Sequence, residues 1–149
     1  MDGFVFRYER ILRLREEEEE QCKNALALRL KEELELQRQL DSLRERLERF
    51  NAETAEEMLR GCTVHRLREA EAERKWLLEA IENQDFLLSL KRSEVREARL
   101  TLGEASKRKK IMEKLRENEY IQFQKEAELR EELMTDQIVT FSSSQKQNR

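Results

Sequence analysis

Residues 51–67 read NAETAEEMLRGCTVHRL, and they decide the fold because the signals that end helices gather there. The chain of 149 residues holds three glycines and no proline, whereas an ordinary globular domain carries roughly 7% and 5%. With so few places to change direction, its elements must be few and long. Two solutions compete for the break. In one, Asn51 ends a first helix and Thr54 with Glu57 forms a capping box for the next. In the other, Arg60 lies in the last turn, Gly61 takes the left-handed position past the helix end, and Thr63 caps the second helix. The second is favoured, because glycine ends a helix at little cost and β-branched Thr63 and Val64 follow at once. Gly103, flanked by Leu102 and Ala105, reads as a weak point costing about 1 kcal/mol and not as a break.

On the N-terminal side of this stretch, Cys22, Leu26, Leu36, Leu40, Leu43, Leu47 and Phe50 fall mostly three and four residues apart, which keeps them on one helix face. Arg29 and Glu33 interrupt that seam while Leu30 and Leu34 offer a shifted stripe, so the register is expected to drift there. On the C-terminal side, Leu67, Ala70, Leu77, Ile81, Leu88, Val95, Ala98, Leu102, Ala105 and Met112 trace a second stripe. Charged residues make up 42% of the chain and hydrophobic ones 38%, with a net charge of -3. That balance, with leucines recurring in phase, argues for long helices over disorder. Glutamates four residues before a base, such as Glu45 with Arg49 and Glu71 with Lys75, add a few tenths of a kcal/mol each.

The expected fold is all-α, a long antiparallel two-helix coiled-coil hairpin with an overhanging C-terminal helix. Helix 1 covers about 4–60, the turn 61–63 and helix 2 about 64–137. Residues 1–141 then form a single coiled-coil domain, and 142–149 a flexible polar tail. Such a hairpin pairs position i with roughly 124 minus i, so everything beyond about Tyr120 overhangs. There the stripe decays into Glu119, Gln122 and Glu126 and leaves Tyr120, Ile121, Phe123, Leu129 and Leu133 as isolated apolar anchors.

Composition also excludes several classes of function. No stretch approaches the roughly 20 apolar residues of a membrane span, and the N-terminus lacks an apolar signal core, so a cytosolic protein without direct membrane insertion is expected. Basic and acidic residues are finely interleaved, leaving no broad cationic face for nucleic acid. The one basic cluster, KRKK at 107–110, reads as a solvated helix face. A two-helix hairpin offers no concave, water-poor pocket, so no enzyme, cofactor or metal site is expected. His65 is the only histidine and cannot build a triad or a His-based metal site. Cys62 at the turn and Cys22, which the pairing sets opposite Leu102, are too far apart for a disulfide.

The start FVFRYERILRLREEEEE at 4–20 and the close KIMEKLRENEYIQFQKEAELREELMTDQIVTFSSSQKQN at 110–148 resemble the FliJ family of bacterial flagellar export. The features that carry this are Phe4 and Phe6, Leu12 and Leu14, and the acidic Asp136 before a short tail. The resemblance implies a stalk like the shaft of rotary ATPases. It would enter the flagellar export ATPase ring, contact the cytoplasmic part of the export gate, bind export chaperones, and work at the inner face of the cell membrane at the flagellar base. On that reading Phe4, Phe6, Tyr8, Ile11, Leu12, Tyr120, Phe123, Leu129 and Leu133 are the ring-binding candidates. Glu16–Glu20 form a solvated, repulsive collar below them. Trp76, Leu77, Leu78 and Ile81, the widest apolar band near the turn, are the gate-binding candidates. Two alternatives stay open: the stalk of a virulence type III secretion system, and a generic dimeric spacer in which two chains zip together without a hairpin.

Overall fold

The computed structural model describes residues 3–148. Two helices account for nearly all of them: α1, Glu9–Arg60, and α2, Val64–Gln147, which pack against each other as an all-α hairpin with no strands among the described residues.

Of the two solutions for the break, the chain adopts the second. α1 runs through Asn51 and Thr54 and ends at Arg60, whose charge suits the negative end of the helix dipole. Gly61 follows at φ 90°, in the left-handed region that a Cβ makes costly, and its N–H donates to the carbonyl of Met58 at 3.2 Å. The Thr63 hydroxyl accepts from the Arg66 N–H at 3.2 Å and caps α2. Across the turn, Arg66 Nε donates to Glu57 at 2.9 Å, which raises the Arg66 pKa through that hydrogen bond.

Both outer helix ends differ from expectation. α1 begins at Glu9, not near residue 4, because the residues before it fold back over α2: Gly3 sits at φ 85° and the Glu9 N–H donates to the Phe6 carbonyl. α2 continues past 137 to Gln147. The serines at 142–144 contain no breaker, and upstream the Thr135 and Thr140 hydroxyls donate to the helix carbonyls of Glu131 and Asp136 at 2.9 and 2.8 Å.

The chain divides into two compact units, Met1–Glu19 with Glu104–Arg149, and Glu20–Gly103. In the second unit, Leu77 is fully buried and Phe50 and Ala70 close around it, with Leu47 packed on them. Leu40, Leu88 and Val95 continue the core. The pairing follows the expected antiparallel rule, as Gln84 donates to the Leu36 carbonyl and to Gln39. The expected drift of register does not occur. Arg29 and Glu33 keep their seam positions, whereas Leu30 and Leu34 are exposed. Charge on α2 meets them there, as Arg29 reaches Glu94 at 3.6 Å and Arg92 reaches Glu33 at 3.6 Å, and beside them Lys91 Nζ lies 2.6 Å from Glu32 and 2.8 Å from Glu94.

In the first unit the core comprises Phe6, Leu12 and Ala105, together with Glu19, which is 6% exposed. The glutamate run is therefore not a wholly solvated collar. Its fourth member turns into the seam, and Lys109, from the basic cluster read as a solvated face, meets it at 2.9 Å.

Candidate functional site

In the first unit, the N-terminal arm and α2 build an aromatic cluster. The Phe4 ring stands 5.2 Å from that of Tyr120 in an edge-on arrangement and 5.5 Å from that of Phe123. Such aromatic pairs are worth about 0.5–1.5 kcal/mol each beyond burial. Phe6 is buried and edge-on to Tyr8 at 6.0 Å, and the Arg7 guanidinium lies over the Tyr8 ring. Phe4, Leu12, Arg116 and Tyr120 line an open hollow of about 420 Å³. Of the nine residues expected there, six thus meet around the arm. Phe6 and Leu12 belong to the core and hold the others in place, whereas Ile11 is exposed on the flank of α1.

Leu129 and Leu133 stand apart. Both are exposed, and the 3.6-residue period turns them away from the face that carries Tyr120 and Phe123. Sequence reasoning missed the residues that do continue that face. Tyr120, Ala127, Met134 and Phe141 recur every seven residues, with Ile138 between the last two, and Met134, Ile138 and Phe141 are all exposed. Stepping by sevens from Tyr120 would have found them. From Glu128 to Gln147 every residue of α2 is exposed, so this segment is a helix carrying an unpartnered apolar stripe.

In the second unit, the expected band at 76–81 separates into parts. Leu77 is fully buried and Ile81 half-buried in the seam. Trp76, 54% exposed, lies on one side of that seam under the Arg46 guanidinium, 5.4 Å from the ring centre. Leu78 is exposed on the other side. Trp76 and Leu78 therefore cannot meet one flat surface together.

The electrostatics of both units are those of a helix seam. Glu32 has its pKa lowered, first by the hydrogen bond from Lys91. Lys91 is raised by Glu32 and then Glu94, and Lys109 by Glu19. Each lysine answers a carboxylate across the helix pair. Among the described residues no three His, Cys, Asp or Glu side chains are grouped to hold a metal ion, and no helix is long and apolar enough to cross a membrane.

The family model for the flagellar FliJ protein matches residues 4–148, from the first ring of the aromatic cluster to the end of α2. The chain belongs to the flagellar FliJ family. No curated protein and no solved structure gives a match. As a FliJ-family chain it is a flagellar export-related protein, and the family is a non-catalytic one. The FliJ match includes both the arm that carries Phe4 and the exposed length of α2.

Proposed function

We propose that the chain is a non-enzymatic stalk and adaptor of the bacterial flagellar protein export apparatus. The aromatic cluster and the exposed length of α2 bind the export ATPase ring, and Trp76 with its neighbours binds the cytoplasmic part of the export gate. Export chaperones dock on the same protein, which works in the cytoplasm at the inner face of the cell membrane beneath the flagellum. The observation that carries this reading is the helix from Glu128 to Gln147, exposed throughout yet carrying Met134, Ile138 and Phe141 in phase with Tyr120. An apolar stripe of that length on a solvated helix suits insertion into a partner. Phe6, Leu12 and Leu77, being buried, support these surfaces from beneath without touching a partner.

The test is recovery of tagged chain from flagellated cells, with co-purifying proteins identified by mass spectrometry. The export ATPase and a gate component are expected in the eluate. An eluate of cytoskeletal or envelope proteins with neither of them would overturn the proposal.

A further inference from the structure

Within the unit formed by Met1–Glu19 and Glu104–Arg149, α2 carries a second seam on the side turned away from α1. Lys107, Ile111, Lys114, Asn118, Ile121 and Lys125 recur at spacings of four and three, the heptad period. All six are exposed, Ile111 at 66%. On the other side of the same helix, Ala105 is buried, Lys109 meets Glu19 at 2.9 Å and Arg116 reaches Glu9 at 3.9 Å. Among the described residues, neither the three lysines of the outer seam nor Arg108 and Lys110 beside it have a carboxylate within ion-pair reach. The basic cluster is thus divided: Lys109 serves the inner seam, and the other three cations are left unanswered.

We infer that this outer seam takes a third helix, supplied by a partner protein and carrying carboxylates at seam spacing. The chain's own helix pair displays the chemistry. Where a lysine of α2 faces α1, a glutamate of α1 answers it, Lys91 with Glu32 at 2.6 Å and Lys109 with Glu19 at 2.9 Å. Lys107, Lys114 and Lys125 repeat that arrangement outward with no glutamate opposite, a charge pattern that an acidic helix completes. Ile111 and Ile121 then meet its apolar side chains, and Asn118 between them bonds a polar one. The width of the seam selects a helix over a bilayer or a nucleic acid. Glu104 and Glu128 close its ends and Glu117 borders one side, so a broad anionic surface would press on carboxylates that a single helical ridge avoids.

The seam spans about 27 Å of helix at 1.5 Å per residue, and its charges are solvated, so docking weakens with added salt. The helical period sets it on the opposite side of α2 from Tyr120 and Phe123. It therefore does not rest on the stalk reading, which uses the aromatic cluster, the helix beyond Glu128 and Trp76.

The experiment is photo-cross-linking of the full chain in its native cells, with the photoreactive benzoylphenylalanine in place of Ile111. The peptide joined to position 111 is then identified by mass spectrometry. It is expected to come from a helix of another protein with Asp or Glu recurring at spacings of three and four. Lys107→Glu with Lys114→Glu, both at exposed positions, should cut the adduct about tenfold and leave circular dichroism and melting temperature unchanged. A joined peptide without that acidic pattern would overturn the inference, as would an adduct indifferent to the charge reversal or no adduct at all. Adducts to lipid would assign the face to a membrane surface, and adducts between two copies of this chain would assign it to self-association. Either of these would also overturn it.

Discussion

Lys109 Nζ lies 2.9 Å from Glu19 Oε1, and Glu19 is the one charged residue that the fold buries among those described. Removing one member of such a pair costs more than replacing both, because the remaining charge stays desolvated. Lys109→Met, which leaves the carboxylate in the seam, is expected to lower the melting temperature more than Glu19→Leu, whose lysine can extend to water. The double variant should melt above Lys109→Met. Thermal circular dichroism of the three proteins checks the order.

The seam and its flank should respond differently to truncation. Leu77→Ala empties a fully buried site and is expected to cost on the order of 3 kcal/mol in urea unfolding. Trp76→Ala removes a half-exposed ring and its contact with Arg46, at a cost of under about 1 kcal/mol.

The two interior glycines should act in opposite directions. Gly61 needs its positive φ, so Gly61→Ala is expected to destabilise by about 1 kcal/mol. Gly103 lies inside α2 with nothing near a Cβ, so Gly103→Ala is expected to stabilise by about the same amount. Paired denaturation curves decide both.

Acid should loosen the helix pair around Glu32. Its pKa is lowered in the fold, chiefly by Lys91, so its stabilisation is full above the ordinary value of 4.5 and fades as pH falls through the lower folded value. Lys91 and Lys109 are raised. Their contribution is full below the ordinary 10.5 and fades as pH climbs through the higher folded values. Melting temperature against pH should therefore fall at both extremes. Glu32→Gln with Lys91→Met should flatten the acid limb, and an unchanged acid limb would contradict the assignment.

The turn was legible because Gly61 and Thr63 carry opposite helix signals two residues apart, and the leucine seam because its members keep phase. The charged positions of the seam were not. Arg29 and Glu33 look like a slipped register when only apolar residues are counted, since what holds them in place, Glu94 and Arg92, lies some 60 residues away in sequence. Glu19 was hidden among four other glutamates for the same reason. At the aromatic cluster, Phe4, Tyr120 and Phe123 could be brought together by pairing arithmetic alone. Met134, Ile138 and Phe141 were legible too, in phase with Tyr120, but were passed over for Leu129 and Leu133, which are apolar yet fall on another face of the helix.

The most direct test of the stalk reading is the hydrolysis rate of purified export ATPase with the full chain and with a chain ending at Gln124. That truncation keeps Phe4, Tyr120 and Phe123 together and removes the stripe of Met134, Ile138 and Phe141. The full chain is expected to stimulate hydrolysis, and the shortened one to lose that stimulation while melting at the same temperature. Equal stimulation by both chains would show that the exposed length of α2 does not engage the ring.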